Sequence, residues 1–342
     1  MAKRLQKKSR RRFAAYCHLC DNRMQRTPMP REIKLPDALL KFIACRPGAQ
    51  IQPIRSEASQ RRFFRISYRK TNLVAMVYPE PAPAEVERFL AVHEIYRAHG
   101  LRVPGIEEIL GDQVVIQEDA GDLLLQRAWR AGCAGKRRYL LEVCRDILGK
   151  LADVPPALAK TRLDHTRQKW EMDFFLAHFF SRRPLHGCGE DSLREGLAML
   201  VEAIEPECVF AHRDFHSRNL LVKGNEIIMV DCQDSLLAPR YYDLVSLAFD
   251  SYLDLGAARG RLFPSLVASG ADRELRQLRL TALQRNIKAL GTFAYQTYER
   301  RHPAYARYIP RTLRHIQGHL NVLDDKRFKI LSNYFSNVTR NA

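Results

Sequence analysis

Apolar positions change their period about a third of the way along the chain, and that change predicts two differently built halves. Leu35, Leu39, Leu40 and Ile43 recur at helical spacing and predict a helix over 35–45. Arg61–Ser67 and Asn72–Tyr78 then read as two strands joined by a polar turn. Pro79, Pro81 and Pro83 break that pattern. From Ala84 to His99 the period is helical again, with Val86, Phe89, Leu90 and His93 on one face and Gly100 as the stop. Val114-Val115-Ile116 predicts a short buried strand that runs into Gln117-Glu118-Asp119-Ala120-Gly121-Asp122. Beyond it the chain reads as mostly helical, with candidates at 136–152, 168–180, 191–204, 241–254 and 275–298. The last carries Leu280, Leu283, Ile287, Leu290 and Ala294 on one stripe. An apolar hairpin pattern at 210–234 interrupts this helical half.

The chain has 342 residues, 46% of them hydrophobic, enough for two packed lobes rather than one small core. No apolar run approaches the roughly 18–20 residues that cross a bilayer, so a membrane span is not expected. The net charge of +18 is uneven. Residues 1–31 hold ten Lys/Arg, from Lys3 to Arg31, against the single acid Asp21. Such a block without apolar periodicity reads as a solvated, disordered tail. A salt-sensitive contact with nucleic acid or anionic membrane is the alternative for it. Ser9-Arg10-Arg11-Arg12-Phe13 has the look of a twin-arginine signal, but Ala14–Asp21 supplies no apolar core, so a cytoplasmic location is expected. The cysteines at 17, 20, 45, 133, 144, 188, 208 and 232 are scattered, as free thiols are. Cys17-His18-Leu19-Cys20 has metal-ligand spacing but no second pair.

The candidate chemistry lies in the interrupting segment. His212-Arg213-Asp214-Phe215-His216-Ser217-Arg218-Asn219 is H-R-D-x-x-x-x-N, the catalytic-loop pattern of kinases. In that pattern the aspartate, here Asp214, takes the proton of the acceptor hydroxyl, and Asn219 holds a magnesium ion. Twelve residues on, Asp231 ends the apolar run Ile227–Val230. A carboxylate at the end of a buried strand, paired with an amide oxygen, suits a hard cation such as Mg²⁺. A loop-capping Asp/Asn pair and a turn residue at a strand end are the plainer readings of the same positions.

The chain resembles the aminoglycoside/choline phosphotransferase-like kinases over roughly residues 50–320. Within them it is most similar to the bacterial kinases that phosphorylate N-acetylmuramate and N-acetylglucosamine at the anomeric carbon. The resemblance rests on Ala58–Arg65, on 117–122, on His212–Asn219 and on Val230-Asp231-Cys232-Gln233-Asp234. It extends to Pro239–Leu247 and to the helix around Arg285–Phe293. It implies an α+β, two-lobed protein-kinase-like fold, with a small antiparallel sheet in the N-lobe and a helix-rich C-lobe. The expected division is a tail at 1–31, a nucleotide-binding lobe at 32–118 and a catalytic and substrate lobe at 119–342. It implies ATP and Mg²⁺ as cofactors, and a small-molecule sugar as partner, in cell-wall recycling, with no specific nucleic acid.

Residue by residue, Asp214 would be catalytic, and Asn219 and Asp231 the metal ligands. His212, Asp234 and Asp243 would be supports, Asp243 as a buried acid tying down the catalytic loop. Gln117, Glu118 and Gly121 would belong to the connector that meets adenine. Arg218, Arg285 and Lys288 are candidates for substrate contact. Protein kinases carry V-A-I-K on the third strand, whereas the run here is Val74-Ala75-Met76-Val77, without the lysine. Arg62 or Arg65 on the preceding strand would have to replace it. The 56–62 loop also lacks the kinase glycine pattern. An aminoglycoside or other small-alcohol phosphotransferase is the alternative enzyme, and a non-catalytic interaction protein on a kinase scaffold is the alternative class.

Overall fold

The computed structural model describes residues 35–54, 60–185, 189–264, 266 and 272–340. The basic tail, Cys17, Cys20, Cys188 and positions 56–59 of the loop before the second strand lie outside the described residues. The chain divides into two compact units, one up to Cys45 and one from Arg46 to Ala342. In the first, the described element is helix α1, Asp37–Ala44, as its apolar spacing predicts.

The second unit opens with a five-stranded antiparallel sheet, whose spatial order is β1-β2-β3-β5-β4. Its strands are β1 (Gln50–Ile54), β2 (Arg62–Tyr68), β3 (Thr71–Val77), β4 (Ile106–Leu110) and β5 (Val114–Glu118). Side chains alternate faces along a strand. Thus Phe64 and Ile66 of β2 share one face, and Phe63 and Arg65 the other. Helix α2 (Pro83–Ala98) covers the second face. There Val86 and Phe89 pack on Met76, Tyr78, Val115 and Phe63. Pro83 stands in the first turn, where its missing N–H costs nothing. The edge strand β1 was not predicted from sequence. It contains Pro53, which cannot donate to a ladder and is tolerated at an edge.

The rest of the unit is helix-rich. Its helices are α3 (Leu125–Ala131), α4 (Ala134–Asp153), α5 (His165–His178), α6 (Glu190–Glu202), α7 (Tyr242–Ala248), α8 (Asp272–Ala294), α9 (Ile309–Leu323) and α10 (Lys329–Arg340). Two short antiparallel pairs interrupt them. Strand β6 (Cys208–Ala211) pairs with β9 (Leu236–Pro239), and β7 (Leu220–Lys223) with β8 (Glu226–Met229). Gly224, with φ of +60°, makes the tight β7–β8 turn. No helix among the described residues is long and apolar enough to cross a membrane.

Helix α8 is the spine of this half. Leu280, Leu283, Ile287 and Leu290 are fully buried, as the stripe predicts. After Ala294 the helix widens into a π turn over Tyr295–Glu299. The predicted helix at 241–254 stops at Ala248. Just beyond it the buried Asp250 carboxylate accepts the N–H groups of Ser217 (2.9 Å) and Tyr252 (2.7 Å). A side chain that bonds nearby backbone in this way competes with helix propagation.

Helices α5 and α8 touch at Gly291. A Cβ added there would lie 2.8 Å from the Cα and 3.1 Å from the N of Phe175, both backbone atoms that cannot swing aside. Gly291→Ala should therefore destabilise the protein by about 1–3 kcal/mol, despite alanine's better helix propensity. Urea unfolding measures this, and a stabilised variant would show that the helices part freely.

Candidate active site

Loop 212–219 leaves β6 and enters β7, and one buried carboxylate holds its start. Asp243, in the first turn of α7, accepts the N–H of His212 at 2.5 Å and of Arg213 at 3.0 Å. Burial pushes the Asp243 carboxyl up to about 7, opposed by those two N–H donors. Arg213 sits at φ of +75°, a left-handed conformation uncommon for a residue with a side chain. His212 is buried, and its Nε2–H donates to the carbonyl of Val230 at 3.0 Å. Burial lowers its pKa, which keeps the ring neutral. Val230 N–H in turn donates to Asn219 O at 3.0 Å. Both ends of the loop are thereby tied to Val230, just past β8 and next to Asp231.

Asp214 projects from this loop toward helix α8. Lys288 Nζ lies 3.4 Å and Arg285 NH2 3.7 Å from its Oδ1. These two residues, one helical turn apart, share a face of α8. Burial alone would raise the Asp214 pKa, but Lys288, Arg213 and Arg285 together hold it well below the usual carboxylate range. The side chain still keeps 32% of its surface exposed, so it is an ionised carboxylate accessible from solvent. Neighbouring His216 is pushed down to about 3, chiefly by burial, and is neutral. Arg285 also donates to Ser246 Oγ at 3.1 Å. Arg218 stacks on Tyr252, 4.9 Å from the ring centre.

Asn219, at the end of this loop, and Asp231 are the two expected cation ligands. Asn219 Nδ2 donates to Asp214 O at 3.0 Å, which fixes the amide and turns its Oδ1 the other way. Asp231, at φ of +67°, keeps 47% of its side chain exposed. Its Oδ1 accepts from Gln233 Nε2 at 2.9 Å and from Arg61 NH2 at 2.6 Å. A guanidinium already seated on Asp231 shows that the position favours positive charge. No group of three or more His, Cys, Asp or Glu that could hold a metal occurs among the described residues. One carboxylate and one amide oxygen nevertheless fit Mg²⁺, which keeps waters and takes phosphate oxygens as further ligands. Asp234 receives a 3.2 Å bond from the same Gln233 amide.

The connector is held from both sides. Glu118 is bound by Arg102 at 2.7 Å, by Lys223 of the β7–β8 hairpin at 2.9 Å and by Gly105 N–H at 3.2 Å. Burial would raise its pKa, but the Lys223 and Arg102 bonds bring it down to about 2. Gln117 is buried at the end of β5, and Gly121 takes φ of +83°.

The three arginines around β2 separate. Arg65 is engaged by Asp119 (2.6 Å) and Asp122 (2.9 Å). Arg62 is paired across strands with Val77 and alternates onto the face of Phe64 and Ile66. Arg61, not singled out from sequence, reaches Asp231. The available signal was the same alternation, which sets Arg61 with Phe63 and Arg65. Lys223 and Arg102 had no such signal.

The electrostatics can be tested without any substrate. Lys288→Met removes the charge nearest to Asp214, so the carboxyl should titrate at higher pH than in the parent. An NMR pH titration of the Asp214 side chain measures this, and an unchanged titration would exclude Lys288 as the source of the depression.

The family model described as "Phosphotransferase enzyme family" matches residues 50–280. A Pseudomonas aeruginosa protein named N-acetylmuramate/N-acetylglucosamine kinase is 26% identical over 291 residues, 79% of this chain and 84% of that protein. A Neisseria meningitidis protein of the same name is 26% identical over 318 residues, 84% of this chain and 91% of that one. Among solved structures, ADP-bound aminoglycoside phosphotransferase APH(2'')-Ib superposes with a TM-score of 0.57 at 13% identity. That match covers 82% of this chain and 98% of that one. The two-lobed kinase-like fold and the matched span together place this chain in the phosphotransferase enzyme family, as a kinase with a hydroxyl acceptor.

Proposed function

We propose that this kinase uses ATP and Mg²⁺ to phosphorylate an N-acetylated amino sugar, N-acetylmuramate or N-acetylglucosamine, on its anomeric hydroxyl. The observation that carries the reading is the ionised, partly exposed Asp214 with Lys288 and Arg285 beside it. The names of the relatives from Pseudomonas aeruginosa and Neisseria meningitidis support the choice of sugar. In this reading residues 32–118 form the nucleotide lobe and 119–342 the catalytic and substrate lobe, with 1–31 as a tail.

Asp214 accepts the proton of the acceptor hydroxyl and aims its oxygen. An anomeric hydroxyl is more acidic than an ordinary alcohol, so a base with a depressed pKa can take its proton late in the transition state. Asn219 and Asp231 hold Mg²⁺, which when bound neutralises phosphate charge. Arg285 and Lys288 favour an acceptor bearing a carboxylate, because opposite charges attract in a partly desolvated cleft. The connector 117–121 takes the base of the nucleotide. Asp243 and His212 act only through the loop they position.

Asp214→Asn keeps the shape of the side chain but loses the proton acceptor. Turnover should fall by roughly 10²–10⁴-fold, with the Kd for ATP close to that of the parent. Near-parental turnover would remove Asp214 from the reaction. The acceptor is tested by kcat/KM on N-acetylmuramate, N-acetylglucosamine, glucose and kanamycin, with NMR of the product. Both amino sugars should lead, with phosphorus on carbon 1. Equal or better activity on kanamycin, or a product phosphorylated on carbon 6, would sink the sugar assignment.

A further inference from the structure

We propose that Arg61 replaces the missing third-strand lysine as a switching cation, held by Asp231 in the resting protein and passed to the nucleotide phosphates when the metal ion takes Asp231. The inference rests on the kinase reading above but names a residue and a motion that the reading does not contain. Arg61 bridges the sheet and the catalytic half, with NH2 2.6 Å from Asp231 Oδ1 across 170 residues of sequence. The pair is unequal. The Arg61 side chain is 13% exposed and that of Asp231 47%, so the arginine is seated and the carboxylate stays accessible. Arg61 NH1 touches Met76 Sδ at 3.5 Å, and its guanidinium lies 5.9 Å from the Phe63 ring centre. The arginine is thus packed on the α2 side of the sheet, with its charged end on Asp231.

The other two arginines are placed differently. Arg65 makes four hydrogen bonds to Asp119 and Asp122. Arg62 lies on the opposite face of β2, across from Val77. Arg61 touches Met76 on the α2 side of β3, whereas Val77, the fourth residue of the run that lacks the lysine, pairs with Arg62 on the other face, so Arg61 would take the role of the lysine from the neighbouring position.

Arg61 and a metal ion would compete for the same Asp231 carboxylate, and in the proposed switch the metal ion takes it and displaces Arg61. The released guanidinium, still anchored at β2, is a planar multi-donor group suited to phosphate oxygens. Arg61 is therefore an obstacle to the metal ion alone and an attraction for the nucleotide, and its loss must change the two affinities in opposite directions.

The test uses the full chain and two probes, Mn²⁺ alone by electron paramagnetic resonance and ATP with Mg²⁺ by calorimetry. Arg61→Gln should bind Mn²⁺ at least threefold more tightly than the parent. The same variant should bind ATP with Mg²⁺ about 10–100-fold more weakly, the loss of a hydrogen bond to a charged group. Arg61→Lys should recover most of the ATP affinity, and thermal melts establish that both variants are folded. Unchanged or weaker Mn²⁺ binding in Arg61→Gln, or ATP binding within threefold of the parent, overturns the proposal. So does a larger loss of ATP affinity in Arg62→Gln than in Arg61→Gln. A parent protein that binds no ATP at all would instead defeat the kinase reading.

Discussion

The candidate site depends on one buried carboxylate. Asp243 is 6% exposed and accepts two consecutive backbone N–H groups, those of His212 and Arg213. Burying a carboxylate without partners is costly, and two charge-assisted bonds offset that cost. The second bond holds Arg213 in a left-handed conformation worth roughly 1–3 kcal/mol of strain. Past that reversal of the chain, Asp214 faces Lys288 and Arg285 of α8. His212 extends the same lock to Val230, and through it to Asp231. A candidate base and a candidate cation ligand 17 positions apart are thus set by one side chain that bonds to neither.

Around that lock the charges are arranged by need rather than by number. Asp214 faces three cations, Lys288, Arg285 and Arg213, and buried Glu171 stands among them as a second carboxylate, 3.7 Å from Arg213. The connector is balanced one to one. Glu118, Asp119 and Asp122 are met by Arg102, Lys223 and Arg65, and a lysine of the catalytic half grips the end of the sheet. Such part-exposed ion pairs contribute modestly to stability. Their use here is to set where the connector lies.

What was legible in the sequence were the parts fixed by local chemistry. The H-R-D-x-x-x-x-N run and Asp231 at a strand end are spacing signals, and the structure joins them through Val230. The α8 stripe was legible because helical periodicity survives burial. Edge strand β1 was not, since Pro53 and a polar neighbourhood hide its period. Nor was the end of α7, because the Asp250 bonds that replace the next turn reach Ser217, 33 residues away. The choice among Arg61, Arg62 and Arg65 needed strand register, since a one-residue step changes the face of the sheet. The pairing of Lys288 with Asp214 spans 74 residues and leaves no local trace.

The central claim, that Asp243 sets the loop and the loop sets the chemistry, is most directly tested in Asp243→Asn. Amide hydrogen exchange at His212 and Arg213 and turnover should be measured on the same samples, with the ATP Kd as a control. The account predicts that both amides lose protection while turnover drops by at least about tenfold and ATP affinity is kept, since a 1 Å misplacement can cost far more. Lost protection with parental turnover would contradict it.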